Sequence, residues 1–333
     1  MANKRMLVII LLIIFGFSIL VSVPIIILST GFSPYINVEG IPEPFEYFTS
    51  NTSGVHKLSL NLDVGDIEIQ YTTTPVDFLA KIELHIEMVG QNLVGQSVND
   101  YFIIEWDDSN TMPTFIMELE KDTDWFNTSK WIKQEVSILV TVNANILFNI
   151  NSTTKEKGDF GIYIPGGTNV NNIVVNTKKG DIVYELIWCT LQGNITGLVD
   201  SGDITLRANN VKYTHNNMWD LTNNNGITTL DIIQSRAMGA NLTGIGNINR
   251  GDVLVKYRDN SPNIGASFKF YNYSGGTWYR EENYWKGFDG PIPLGYSGSM
   301  FTSYDFPSTY NYKLSFFLEH ENPRSYTINL TSE

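Results

Sequence analysis

Past residue 54 the hydrophobic positions alternate with polar ones at a period of two, and the alternation is interrupted at intervals by Gly-Asp. Leu58, Leu60, Leu62 and Val64 run to Gly65-Asp66, after which Ile67, Ile69 and Tyr71 resume the pattern. Strict alternation of this kind predicts strands with one buried face. Similar strand patterns recur at "FLAKIELHIEMV", "YFIIEW", "TFIMELE" and "VSILVTVNANILFNI", and no segment in this region repeats its apolar residues at 3.6. Val, Ile, Thr, Tyr and Phe dominate the apolar runs, as strands favour. The expected fold past the N-terminus is all-β.

The interruptions form a repeat. Gly158-Asp159, Gly180-Asp181 and Gly202-Asp203 are spaced by 22 residues, Gly226 follows after 24 without the Asp, and Gly251-Asp252 after a further 25. With Gly65-Asp66 there are five Gly-Asp steps followed by Ile, Val or Phe. The Gly-Asp step changes the parity of the alternation: Ile173 and Val175 are odd, whereas Ile182, Tyr184 and Leu186 are even. A one-residue slip would send every apolar side chain to the wrong face, so a corner or bulge is required at Gly-Asp. Glycine supplies the backbone freedom, and the short Asp carboxylate can accept bonds from neighbouring backbone N–H groups. Such units stack as a β-solenoid or follow one another as meanders of a twisted sandwich, and the spacing alone leaves both open.

The repeated units, "NTKKGDIVYEL" and "LVDSGDITLRA" among them, resemble a family of β-strand-repeat domains labelled adhesins in bacteria and archaea. The opening "LNLDVGDIEIQY" is similar to the start of membrane-anchored archaeal members. The resemblance covers residues 145 to 258 and, less fully, 55 to 71. It implies a surface-exposed β-repeat domain and defines no adhesive residue.

The N-terminus changes the picture. Met6 to Leu28 carries no charge over 23 residues, a length of roughly 34 Å as a helix, enough to span a bilayer core. A cleaved signal peptide has a shorter apolar region of about 7 to 15 residues ending at small residues, so an uncleaved anchor is expected. Lys4 and Arg5 precede it and no Lys or Arg follows until Lys57, which places the N-terminus in the cytoplasm and the rest outside. The resulting plan is a cytoplasmic tip and transmembrane helix (1–30), a Pro- and Gly-containing stalk (31–54), an N-terminal β region (55–150), the Gly-Asp repeats (151–260) and an aromatic-rich C-terminal β cap (261–333).

Charge and composition then narrow the function. The whole chain carries a formal net charge of −13, and an acidic exterior disfavours nucleic acid as a partner. Cys189 is the only cysteine, so no internal disulfide can form, and in "ELIWCTL" it is expected in a strand core. His56, His85, His215 and His320 are scattered, with no zinc-chelating pair. "GYSGS" lacks the final Gly of a nucleophile elbow and "NYSGG" lacks the first. An enzyme is therefore not expected, and no cofactor. Calcium is the weighed exception: a solenoid would stack Asp159, Asp181 and Asp203 about 4.8 Å apart, but neither an EF-hand loop nor the RTX nonapeptide is present.

Two surface features remain. Trp278, Tyr279, Tyr284 and Trp285 lie in the aromatic C-terminal stretch and read either as an end cap on the repeat core or as a surface for a glycan or protein. Sequons for N-glycosylation stand at Asn51, Asn127, Asn151, Asn194, Asn241, Asn272 and Asn329. The expected function is a membrane-anchored, non-enzymatic surface β-repeat protein mediating contact or envelope structure, with a carbohydrate-binding module on the aromatic segment as the alternative.

Overall fold

The computed structural model describes residues 36–40, 45–48, 52–90, 102–107, 114–119, 131–259, 264–274, 277–285 and 312–331. The expected anchor at Met6 to Leu28 lies outside the described residues, as do Asn51 and Asn127. Every regular element among the described residues is a strand, and no helix there is long and apolar enough to cross a membrane.

The chain enters through β1 (Ile36–Gly40) and β2 (Phe45–Tyr47), then lays down β3 (Val55–Val64) and β4 (Asp66–Thr72) on either side of Gly65. It leaves on an excursion through β5 (Ala80–Gly90), β6 (Phe102–Asp107), β7 (Thr114–Leu119) and β8 (Trp131–Asn143). Four regular coils follow. They are β9 (Leu147–Lys157), β10 (Phe160–Ile164) and β11 (Asn169–Val170); β12 (Ile173–Lys179), β13 (Ile182–Ile187) and β14 (Thr190–Leu191); β15 (Ile195–Ser201), β16 (Ile204–Asn209) and β17 (Lys212–Tyr213); and β18 (Asn217–Asn223) with β19 (Thr228–Gln234). The chain closes through β20 (Leu242–Asp259), β21 (Ile264–Ser274), β22 (Thr277–Trp285) and β23 (Tyr312–Thr331).

The coils pair in parallel with the repeat spacing as their register. Phe160 stands beside Ile182, Ile182 beside Ile204, Ile204 beside Thr228 and Thr228 beside Val253. On the second side Ile150, Ile173, Ile195 and Trp219 form an equivalent row, and β11, β14 and β17 make a short third side. Successive meanders would pair antiparallel, so this register makes the fold a β-solenoid. The predicted change of parity is present at the corner: Thr177 is buried, Lys178, Lys179 and Asp181 are exposed, and Ile182 is buried again. Inward rows such as Ile162, Tyr184, Leu206 and Leu230 fill the interior, each nearly sealed from water. Burying each such side chain contributes on the order of 2 kcal/mol.

The excursion explains why residues 72 to 144 match no repeat unit. After β4 the chain departs from the stack and returns at β9, so Gly158 sits one rung above Gly65 although 93 residues separate the corresponding Asp pair. The excursion is not wasted on a loop. β8 pairs parallel with the free edge of β4, β7 with that of β3, and β5 lies antiparallel on β8. That end of the solenoid is thereby covered, which removes an open strand edge.

The described strands add three details to the expected organisation. Within residues 31–54, β1 and β2 pair antiparallel with β5 and so belong to the sheet. These segments are too short to show alternation, and their partner lies some forty residues on. The boundary at residue 150 falls inside β9, and β3–β4 are already solenoid strands, so no seam separates the N-terminal β region from the repeats. In the C-terminal region, β23 runs parallel to the whole of β20 as a further coil, and its corner is Pro323 to Ser325 opposite Gly251-Asp252. A bulged corner without Gly-Asp has no visible repeat signature.

Candidate functional site

The Gly-Asp corners form a ladder. The Oδ1 atom of Asp66 accepts the backbone N–H of Asp159 at 2.9 Å, Asp159 accepts that of Asp181 at 2.8 Å, Asp181 that of Asp203 at 2.8 Å, and Asp203 that of Ile227 at 2.7 Å. Each carboxylate thus satisfies a backbone donor one rung further on. The glycines beside them are packed backbone to backbone. A Cβ on Gly180 would lie 2.1 Å from the carbonyl oxygen of Gly158, and one on Gly202 2.0 Å from that of Gly180. With φ of 135° and 147° at these two positions, both the space and the conformation demand glycine. The ladder changes at Gly226, where the next residue is Ile227, 42% exposed and without a carboxylate to offer. For Asp252 the structure gives the backbone register alone.

A second ladder escaped the sequence reading. Asn149 Oδ1 accepts the N–H of Asn172 at 3.3 Å, Asn172 that of Asn194 at 2.9 Å, and Asn194 that of Met218 at 2.8 Å. Its signal was an Asn immediately before Ile150, Ile173 and Ile195. A third corner carries Trp188 and Asn210, both at positive φ (53° and 55°), with Asn210 Oδ1 accepting from the N–H of Ser235. Asn tolerates that conformation and Trp does not favour it. Trp188 is nonetheless 49% exposed there, with the Arg236 guanidinium 4.9 Å from its ring centroid.

The groups with perturbed acidity belong to the interior. Burial pushes the phenols of Tyr71, Tyr184 and Tyr213 well above their ordinary range, and raises the Cys189 thiol to about 12. Cys189 lies at the corner between β13 and β14, outside the strands proper, and is fully buried. A thiol in that state is no nucleophile at neutral pH. Among the described side chains the histidines are apart: His56 is buried beside Tyr47 and Phe148, His85 projects from β5, and His215 meets Thr214. No group of three His, Cys, Asp or Glu side chains among the described residues is arranged to hold a metal ion.

Where the excursion meets the solenoid, the outer face of the sheet is hollow. The strands β5, β8, β4, β10 and β13 lie side by side and enclose a cleft of about 660 Å³. One row across it reads Glu83, Leu139, Glu68, Gly161 and Val183. Gly161 makes the hollow, since a Cβ built there would meet nothing within 4 Å. Beside this row run His85, Ser137 and the laddered Asp66, Asp159 and Asp181; on the other side stand Tyr163, 41% exposed, and Glu185. Six carboxylates line the cleft, with no Lys or Arg among its lining residues. Two of these carboxylates already hold cations, Glu83 with Lys81 at 3.1 Å and Glu185 with Arg207.

The remaining expected positions are dispersed. Trp278, Tyr279, Tyr284 and Trp285 all lie on β22, which pairs with β21 alone among the described strands and so is outermost at that end. Of the sequons, Asn151 is exposed on β9 and Asn194 is exposed in the Asn ladder, while Asn241 is half-buried with its N–H donated to Asn216. Asn272 and Asn329 fall on β21 and β23.

No family model and no curated protein matches the chain. Among solved structures it is similar to a proposed cell adhesion protein from Clostridium sporogenes, at 11% identity and a TM-score of 0.34 over 89% of this chain and 100% of that one. A proposed adhesin from Bacteroides fragilis gives 10% and 0.30, covering 90% and 97%, and one from Parabacteroides distasonis 12% and 0.27, covering 69% and 91%. These neighbours are β-rich proteins assigned to adhesion, and superpositions this loose leave the function to be read from this chain's own geometry.

Proposed function

We propose that the chain is a non-enzymatic, membrane-tethered surface protein that displays its β-solenoid for contact with a partner. The observation that carries this reading is the division of labour in the molecule. Its chemically perturbed groups are sealed in the core, whereas its ladder-fixed outer face presents an open hollow. A rigid face loses little entropy on binding, which suits a docking surface. The tether in this reading is Met6 to Leu28, with residues from about 31 onward outside the cell. Expression of the full chain and of residues 31–333 in parallel tests it. The full chain is expected in the membrane fraction after alkaline carbonate washing, with its β domain digestible by protease added to intact cells. Equal release of both chains by carbonate would refute the tether.

A carbohydrate-binding role has one observation in its favour: the outermost described strand at the C-terminal end, β22, carries all four aromatic residues singled out above. Aromatic rings on such a strand suit stacking on sugar faces. A glycan array probed with the full chain and with the Trp278→Ala/Trp285→Ala variant separates this reading from protein contact. Array binding that the double variant loses supports it, and equal or absent binding by both rejects it.

A further inference from the structure

The cleft over Gly161 is shaped for a long cationic side chain. Its floor is apolar and shallow, with half-buried Leu139 and Val183 flanking the gap at Gly161. Its rim is anionic: Glu68 is exposed between the two, and the Asp66, Asp159, Asp181 row runs alongside. Lysine and arginine combine these properties, an aliphatic stem that lies along apolar surface and a charged head that stays at the wet edge. Each laddered carboxylate spends Oδ1 on a backbone N–H, which leaves its second oxygen as a further acceptor.

We propose that this cleft docks a lysine- or arginine-rich extended segment of a partner protein, with one cationic side chain seated over Gly161 against Glu68. Charge complementarity selects the occupant. The lining holds six carboxylates and no Lys or Arg, and the chain as a whole carries −13. An acidic segment would be repelled there, and a neutral one would leave Glu68 and the Asp row without a cation, since Lys81 and Arg207 pair with Glu83 and Glu185. The five strands spanning the cleft lie about 4.8 Å apart, giving a width of roughly 19 Å, which an extended segment of about six residues crosses. This deepens the display reading by naming the partner's chemistry, and it rests on that reading only for where the partner is met.

The test is fluorescence anisotropy with the full chain in detergent and a labelled octapeptide of alternating lysine and serine. Gly161→Leu fills the hollow without changing charge, and no contact within 4 Å opposes its Cβ, so its melting temperature should match the parent. Glu68→Gln removes one exposed rim charge and cannot disturb the interior. Glu156→Gln removes one charge on β9, away from the cleft, and serves as the control. Expected are a tenfold or greater loss of affinity for Gly161→Leu and Glu68→Gln, a change within twofold for Glu156→Gln, and no binding of a glutamate-serine peptide. Equal binding by Gly161→Leu, or equal losses in Glu68→Gln and Glu156→Gln, would show attraction to net charge alone and overturn the proposal. Absence of binding to the parent would overturn it too, while leaving the carbonate and protease results, and hence the display reading, standing.

Discussion

Replacing Gly202 by Ala tests the stacking of the corners most directly. The new Cβ would lie 2.0 Å from the Gly180 carbonyl oxygen and 3.0 Å from Asp181 Oδ1. Real Cβ atoms do not approach within 3.0 Å, so the two rungs must separate locally by about 1 Å. At that separation the 3.0 Å bond from the Gly180 N–H to the Ser201 carbonyl and the 2.8 Å bond from the Asp203 N–H to Asp181 both exceed hydrogen-bonding range. A neutral bond contributes about 1 kcal/mol and a charge-assisted one about 1.5 to 3, the lower end applying at this exposed carboxylate. Holding an L-residue at φ 147° adds about 1 to 2 kcal/mol. The sum is about 3 to 5 kcal/mol, a large share of the roughly 5 to 15 kcal/mol by which domains are stable. Gly161→Ala is the matched control, because it adds the same methyl group where nothing lies within 4 Å. Urea unfolding of the full chain in detergent, followed by tryptophan fluorescence, reads both. A loss below about 1 kcal/mol for Gly202→Ala, or equal losses for the two variants, would refute backbone-to-backbone stacking as the reason for glycine at these corners.

Ile227→Asp should restore a carboxylate to the ladder at the one regular corner that lacks it, and raise stability by about 1 kcal/mol; an unchanged or lower urea midpoint would show that Ile227 is favoured there. Asp203→Ala leaves the Ile227 N–H to water and should cost about 1 to 2 kcal/mol by the same measurement, with no loss denying the ladder a role in stability. Because burial raises the folded thiol of Cys189 above its unfolded value near 8.5, the folded state holds the extra proton: its contribution is complete below about pH 8.5 and is lost as pH rises toward about 12. Cys189→Ala should flatten that part of the stability profile, and iodoacetamide at pH 8 should label Cys189 only after urea is added; rapid labelling of the folded chain would contradict its burial. Calcium at millimolar concentration, or its removal by chelator, should leave the melting temperature unchanged, since the stacked carboxylates already accept backbone N–H groups; a rise of several degrees would assign the column a cation.

The regular coils were legible in the sequence because the same residues set both the alternation and its interruptions. Ile173 to Ile182 shows the parity change that the exposed pair Lys178 and Lys179 makes in space. What the sequence concealed was adjacency across long separations. Gly65 and Gly158 share a column only because the excursion leaves and rejoins the stack, and Pro323 to Ser325 occupies a corner without either diagnostic residue. The cleft was hidden for the same reason, as Leu139 and Glu83 come from the excursion while Gly161 and Val183 come from the repeats. Trp188 could have been flagged by aligning the units, which sets it in line with Gly166 and Asn210, two residues at ease in turns.

The direction of the carboxylate ladder bears on how such a chain can change its length over generations. Each Gly-Asp rung of the regular coils takes an acceptor from the rung before and gives one to the rung after. A gene segment encoding residues 180–201 can therefore be duplicated or deleted in frame without orphaning a polar group or mismatching a core row, each copy altering the height by about 4.8 Å. The two ends, where the strands depart from the repeat, stay as they were. The height of the solenoid becomes a trait that unequal recombination can lengthen or shorten stepwise, while the fold and the hollow beside Gly161 are inherited intact.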